Sequence, residues 1–126
     1  MRLANPGLEE WMTDEGNPDG LTYIFPREHD VIVGGTADEG SWDTEIDPAT
    51  EAAILERALK LVPELANQPL VGRACGLRPA RPSISLERLT VDGVPVITAY
   101  GHGGAGVTLS WGTAERVVEL AAADED

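Results

Sequence analysis

The sequence has little cysteine and no long apolar run, and each shortage removes a class of protein from consideration. Cys75 is the only cysteine among the 126 residues, so no intramolecular disulfide can form and a buried structural thiol is expected. No apolar stretch approaches the roughly 20 residues that span a bilayer, and Met1 to Pro6 has no apolar signal core. We therefore expect a cytoplasmic protein without a membrane partner.

Basic residues are also scarce. Nine Lys and Arg stand against 22 Asp and Glu, which gives a formal net charge of -13. Such a surface repels phosphate backbones, so we expect no nucleic-acid partner. The 42% hydrophobic and 25% charged residues are typical of a soluble globular protein, and the length suits one structural unit with one modest core.

Two segments of the first half carry clear secondary-structure signals. Leu21 to Phe25 is rich in β-prone residues, and Val31 to Val33, beyond a polar turn, is its predicted antiparallel partner. Asp47 and Pro48 mark a helix start, because the aspartate can cap free N–H groups and proline at the first position loses no hydrogen bond. The spacing of apolar residues predicts a helix that runs to Val62.

The second half predicts a hairpin and a final helix. Leu89 to Val91 and Val94 to Tyr100 flank Asp92-Gly93, a dipeptide that readily takes the positive φ angles of a tight turn. A final helix is expected to begin near Val107, after a glycine-rich run. Ser83 to Leu86 alternates polar and apolar residues, as a half-buried strand does.

These elements predict an α+β fold. The expected antiparallel sheet joins the Leu21 and Val31 strands with the Ser83 region and is crossed by the Pro48 helix. Residues 2–8 show neither a helix start nor a settled strand, so no element is predicted there.

The run Gly101-His102-Gly103-Gly104-Ala105-Gly106 follows a strand and precedes a helix, and it satisfies G-x-G-x-x-G. A complete dinucleotide unit would also need a second parallel strand ending in an acid about 20 residues later, which this sequence does not hold. Two interpretations stay open. The run brings backbone N–H groups and a helix N-terminus to an anion, or it packs a strand tightly against the last helix.

Four side chains are candidates for ligand contacts. Arg78 and Arg81 lie in a proline-bracketed stretch, where each guanidinium can hold a carboxylate through two hydrogen bonds or form ordinary ion pairs. Tyr23 is either a core residue or a ligand contact. His102 is expected to be a hydrogen-bonded structural histidine, because no cysteine, serine or acid at suitable spacing supports a triad or a metal site.

Three longer segments form a recognisable set. They are Leu21-Thr22-Tyr23-Ile24-Phe25-Pro26-Arg27, Gly76-Leu77-Arg78-Pro79-Ala80-Arg81-Pro82 and Tyr100-Gly101-His102-Gly103-Gly104-Ala105-Gly106-Val107-Thr108-Leu109-Ser110-Trp111-Gly112. In this order they resemble the C-terminal part of the D-amino-acid oxidase family of flavoproteins. The resemblance covers most of the chain, including Val33 to Thr36 and the helix from Pro48.

The resemblance implies an FAD-dependent enzyme that oxidises D-amino acids. Hydride passes from the substrate α-carbon to the flavin, molecular oxygen reoxidises the flavin and yields hydrogen peroxide, and the imino acid hydrolyses to a 2-oxo acid and ammonia. The cofactor carries the difficult step, so the protein holds the α-carbon against the flavin and tunes its electronics.

The resemblance also implies roles for individual residues. Arg78 resembles the arginine that pairs with the substrate carboxylate, Tyr23 the tyrosine whose hydroxyl hydrogen-bonds the same group, and Gly104 the residue whose carbonyl accepts a hydrogen bond from the substrate amine. No catalytic side chain and no metal are implied. The implied flavin contacts are Arg78, Gly103, Gly104, Gly106, Val107 and Thr108.

Two features of the family are missing from this sequence. The second tyrosine of the family, on a loop before the position of Tyr23, is replaced by Asp19. The dinucleotide fingerprint that binds the ADP half of FAD is absent. We therefore expect a C-terminal fragment that is inactive or nearly so alone, whether a truncated reading frame, a gene remnant or half of a split enzyme.

We expect residues 1–88 to be mostly substrate domain, and residues 89–126 to hold the hairpin, the flavin-contacting turn and a helix that would complete an FAD-binding domain. Exposed apolar surface on that helix, including Trp111, makes a missing N-terminal half or a second copy the expected protein partner. Two rival interpretations stay open. They are a related D-aspartate or glycine/amine oxidase, and a noncatalytic domain that binds a small carboxylate or a partner protein.

Overall fold

The computed structural model describes residues 1–123, which form an α+β arrangement of antiparallel sheets and two α-helices. The chain divides into two compact units, Met1–Gly76 and Leu77–Asp126. The last three residues of the expected 89–126 portion lie outside the described residues. The assignment of 1–88 and 89–126 to substrate and flavin roles stays a prediction.

The first unit is built on a five-stranded antiparallel sheet, in the order β2-β3-β4-β1-β5. The predicted first hairpin is confirmed, because β3 and β4 pair with Tyr23 opposite Gly34 and Ile24 opposite Val33. The strands are β1 (Arg2–Ala4), β2 (Met12–Asp14), β3 (Thr22–Pro26), β4 (Asp30–Gly34) and β5 (Leu70–Gly72).

The expectation that residues 2–8 form no strand was wrong. β1 has only three residues, too few to display the alternation by which a strand is recognised in sequence. It pairs with β4 on one side and β5 on the other, so its backbone is satisfied by partners distant along the chain. The acidic segment that follows contributes β2 in the same way, by pairing with β3.

The first helix, α1 (Pro48–Leu61), packs on β3 and β4 and confirms the predicted helix start. The Asp47 carboxylate accepts hydrogen bonds from the N–H of Ala49 at 3.2 Å and of Thr50 at 2.9 Å. A further bond from the Thr50 hydroxyl is the main cause that lowers the pKa of the Asp47 carboxyl, and the two N–H bonds act in the same direction. Val62 caps the other end.

The buried core of the first unit lies between the sheet and α1. Ile24, Val31 and Val33 alternate with half-buried side chains along β3 and β4, and each is 0% exposed. This is the period-two pattern of a sheet with one covered face. Among residues 1–123, the buried apolar side chains are Leu3, Ile24, Val31, Val33, Ala58, Val62 and Leu65.

The second unit contains the predicted hairpin. β6 (Ala80–Val91) and β7 (Val94–His102) are antiparallel, and Asp92 and Gly93 form the turn with φ of 51° and 80°. The predicted strand at Ser83 lies within β6, but its expected place beside the Leu21 and Val31 strands was wrong. β6 pairs with β7 in a separate two-stranded sheet, because the tight turn brings that partner close with very little loop to close.

The final helix begins later than expected. The glycine run first forms a short 3₁₀ helix, Gly103–Ala105, and α2 (Ser110–Ala122) follows. A hydrogen bond of 3.2 Å from the Ser110 N–H to the Val107 carbonyl closes the turn between them.

Cys75 is exposed, so the expectation of a buried thiol was wrong. It lies in the irregular segment 73–79, which follows β5. Within residues 1–123, no helix is long and apolar enough to cross a membrane.

Candidate functional site

Arg78 and the glycine run lie together in the second unit. The Arg78 Cδ and Nε atoms are each 3.6 Å from the point that a Cβ atom on Gly104 would occupy. The Gly103 N–H donates to the Pro79 carbonyl at 3.1 Å, which ties the run to the residue that follows Arg78. A cationic fork of N–H donors and a backbone with a carbonyl acceptor are thus adjacent on an exposed surface.

The glycines of this run are required by its backbone. Gly101 and Gly103 have φ of +93° and +56°, a region that residues with a Cβ atom seldom adopt. A Cβ on Gly101 would also stand 3.0 Å from the Arg81 side chain. The Arg81 guanidinium lies 4.9 Å from the centre of the Tyr100 ring and donates to the Tyr100 hydroxyl at 2.5 Å, so it is occupied in supporting the hairpin.

The residues after Gly103 present an exposed backbone to solvent. Gly104, Gly106, Val107 and Thr108 are exposed, and α2 begins at Ser110 without a side-chain cap on its first N–H groups. Uncapped N–H groups at a helix start carry partial positive charge and bind acceptors or anions. Small residues let a ring approach this backbone closely.

His102 has a structural partner, as expected. Its Nε2 lies 2.9 Å from the Thr113 hydroxyl, a hydrogen bond that joins the end of β7 to α2. Among residues 1–123, no group of three or more His, Cys, Asp or Glu side chains could hold a metal ion.

Tyr23 belongs to the first unit, where it is half-buried on β3. Its ring stacks on Phe25 with centroids 5.1 Å apart and an interplanar angle of 16°. A Cβ atom added to Gly34 or Gly35 would overlap the Tyr23 ring, so the ring lies directly on that backbone. The two glycines therefore fix where the Tyr23 hydroxyl can be.

Arg57 was missed by sequence reasoning. From α1 it donates to the Thr22 hydroxyl at 3.1 Å, to the Leu21 carbonyl at 3.2 Å and to the Gly35 carbonyl at 3.0 Å. The apolar pattern of the predicted helix gives no signal for it, because Arg57 lies almost opposite the face that carries Leu55, Leu59 and Val62. That position alone does not reveal three partners on other elements.

Comparison with known proteins assigns the chain to a family. A family described as FAD dependent oxidoreductase matches residues 2–120. The chain is 53% identical over 124 residues to a D-amino-acid oxidase of Rubrobacter xylanophilus, and the match covers 98% of this chain. It is 43% identical over 121 residues to a D-amino-acid oxidase of Streptomyces coelicolor, with 94% of this chain covered.

The chain therefore belongs to the FAD dependent oxidoreductase family, and its resemblance to the D-amino-acid oxidases within that family is confirmed. It spans 38% of the length of each of these two oxidases. A D-aspartate oxidase of Homo sapiens is 36% identical over 124 residues, with 95% of this chain and 36% of that protein covered.

Proposed function

We propose that the chain is the C-terminal, substrate- and flavin-contacting part of an oxidase that converts D-amino acids to 2-oxo acids, ammonia and hydrogen peroxide. The observation that carries the proposal is the position of Arg78 beside Gly104, in a chain whose relatives are named D-amino-acid oxidases. An α-amino acid bears its carboxylate and amine on one carbon. A guanidinium and a carbonyl at close range match these two groups.

Arg78 binds the substrate carboxylate and the Gly104 carbonyl accepts a hydrogen bond from the amine. The resemblance assigns to the Tyr23 hydroxyl a hydrogen bond to the substrate carboxylate, and the Tyr23 ring is held against Gly34 and Gly35. These contacts orient the α-carbon, which is the protein's main contribution when a cofactor performs the oxidation.

Bound FAD supplies the hydride acceptor, and molecular oxygen is the final oxidant. The backbone of the glycine run and the uncapped start of α2 would hold the flavin, and the partial positive charge of these N–H groups would stabilise negative charge on it. The β6–β7 hairpin and α2 complete an FAD-binding domain. The residues that contact the flavin are Arg78, Gly103, Gly104, Gly106, Val107 and Thr108.

The chain alone has little or no oxidase activity in this proposal, because the resemblance assigns the ADP-binding fingerprint to the part of the family that this chain does not match. The exposed side chains of α2 and the turn before it support the same view. Val107, Trp111 and Val118 are 90%, 88% and 67% exposed, an apolar surface that a protein partner would cover.

A segment exchange tests the proposal. This chain would replace the matching 124-residue segment of the Rubrobacter xylanophilus D-amino-acid oxidase, and hydrogen peroxide would be measured with D-alanine and L-alanine. We expect activity with D-alanine that requires Arg78. Silence from a soluble, flavin-loaded protein would contradict the proposal, and oxidation by the pure chain with added FAD would contradict its dependence on a further segment.

D-aspartate oxidation is the second candidate, favoured by the similarity to a D-aspartate oxidase. A substrate with two carboxylates needs a second cation near Arg78. The neighbouring Arg81 is occupied with Tyr100, so D-alanine is the preferred substrate of the two. Assay of D-aspartate in the same exchange protein decides between them.

A further inference from the structure

We propose that Arg57 is a positioning residue for Tyr23. The inference rests on the proposed function, in which the Tyr23 hydroxyl contacts the substrate carboxylate. Arg57 itself acts through the backbone that carries and supports the tyrosine.

One guanidinium joins two chain segments at the same end of the sheet. The Arg57 Nε donates to the hydroxyl of Thr22, the first residue of β3, at 3.1 Å, and its Nη2 donates to the carbonyl of the preceding Leu21 at 3.2 Å. The same Nη2 donates to the Gly35 carbonyl at 3.0 Å, just beyond the end of β4. The planar guanidinium presents these donors in a fixed geometry, so the three acceptors are held relative to one another.

These acceptors lie in the two segments that determine the position of Tyr23, namely the start of the strand that carries it and the glycines that its ring contacts. Thr22 precedes Tyr23 on β3 and is 0% exposed. Gly35 belongs to the pair of glycines on which the Tyr23 ring lies. A shift of either segment therefore moves the phenol hydroxyl, and misplacement of a binding group by about 1 Å can cost up to 10²-fold in rate.

The segment after Gly35 has no regular secondary structure, so the hydrogen bond from Arg57 is needed to hold the backbone at Gly35 in place. Residues 35–47 are irregular, so β4 gives no further ladder hydrogen bonds beyond its end. Besides the Arg57 bond, the Gly35 N–H donates to the Leu21 carbonyl at 3.2 Å. Arg57 reinforces that link with a charged donor, which forms stronger hydrogen bonds than a neutral one.

A general role in attaching α1 does not account for these contacts. α1 already buries Ala58 against the sheet and is joined to the segment after β5 by an ion pair of 2.7 Å between Arg73 and Glu51. Arg73 is therefore a matched control. It is an arginine bonded to the same helix, and its partner lies away from Tyr23 along the sequence.

The first test reports on Tyr23 directly. The sequence contains two tyrosines, Tyr23 and Tyr100, so ¹³C-tyrosine labelling of the 126-residue chain gives two assignable ring signals. We expect Arg57→Lys to shift the Tyr23 signal and leave the Tyr100 signal in place. Thr22→Val, which removes one acceptor and keeps the side-chain shape, should cause a smaller shift in the same direction, and Arg73→Ala should cause none.

The second test uses the segment-exchange enzyme. Arg57→Lys is expected to raise KM for D-alanine by about tenfold while kcat stays within about twofold, the pattern of lost substrate binding. The effect should disappear when Tyr23→Phe is already present, because the two residues act as one unit.

The outcomes separate the two proposals. An unchanged Tyr23 signal in folded Arg57→Lys and Thr22→Val chains overturns the role of Arg57, whatever the enzyme does. Equal effects of Arg57→Lys and Arg73→Ala, or losses that add fully to that of Tyr23→Phe, also overturn it. An inactive parent enzyme with the expected shift of the Tyr23 signal leaves the positioning role standing and refutes the proposed function.

Discussion

The ring of Tyr23 lies against the backbone of Gly34, the residue directly opposite it on the neighbouring strand. A glycine facing an aromatic residue across a strand pair lets the ring lie flat over the sheet, which a larger residue would prevent. A substitution at Gly34 is therefore expected to displace the ring of Tyr23.

Gly34→Ala is expected to destabilise the chain by about 1–3 kcal/mol, because the added methyl overlaps the Tyr23 ring, which is also stacked on Phe25. The free energy of unfolding from urea denaturation measures this. Gly16→Ala is the matched control, since a Cβ there would meet nothing within 4 Å. Equal losses in the two variants would show that the Tyr23 ring can move aside without cost.

Arg78→Ala in the segment-exchange enzyme should lower kcat/KM for D-alanine by about 10²-fold, which corresponds to the loss of a charge-assisted hydrogen-bonded pair. Arg78→Lys should recover only part of this, because an ammonium lacks the planar fork. Arg116→Ala serves as control, since it removes an exposed ion pair with Glu119 on α2. A fully active Arg78→Ala enzyme would remove Arg78 from the substrate site.

Asp47 makes stability depend on pH in the acid range. Its folded-state pKa is lowered, so its stabilising effect is complete above its ordinary value of 3.8 and is lost as the pH falls through the folded value. Asp47→Asn caps the helix without titrating. The melting temperature of the native chain should exceed that of Asp47→Asn by a few degrees at pH 7. This difference should disappear below about pH 4.

A pH-independent gap between the native chain and Asp47→Asn would mean that the carboxylate charge adds nothing to the cap. Glu39→Gln, in the exposed loop before α1, controls for the loss of one negative charge.

Leu65→Ala tests the core below α1. Leu65 is 1% exposed, so its truncation should cost about 2–5 kcal/mol through lost burial and the cavity left behind. Leu61→Ala is the same chemical change at a side chain that is 39% exposed, and it should cost only about 1–2 kcal/mol. Circular dichroism during urea titration compares the two.

The elements that were predicted correctly have local causes. The turn at Asp92-Gly93 and the cap at Asp47 each lie within a few residues of the strands or helix they define. β1 was missed because its pairing depends on segments that meet only in the folded chain, and the Ser83 region was assigned to the wrong sheet although it continues the strand of the predicted hairpin. No local pattern encodes such a meeting.

The residues of the candidate site also differ in whether a local sequence pattern predicts them. Arg78 and Gly104 each lie in a segment that the sequence already marked as a candidate for ligand contacts. No local pattern predicted that the two residues would be in contact. Arg57 could not be found in this way, because its acceptors are mainly backbone carbonyls, which every residue carries. The role of Arg57 in holding these segments together depends entirely on the tertiary structure.

The three tryptophans have a practical consequence. Trp11, Trp42 and Trp111 are 70%, 83% and 88% exposed in the folded chain. Their indole rings are mostly exposed to water in the folded chain, with Trp11 also in an edge contact with the Phe25 ring, so their emission will change little when the chain is denatured. A blue shift of that emission will instead signal that another polypeptide has covered an indole, which makes intrinsic fluorescence a gauge of assembly.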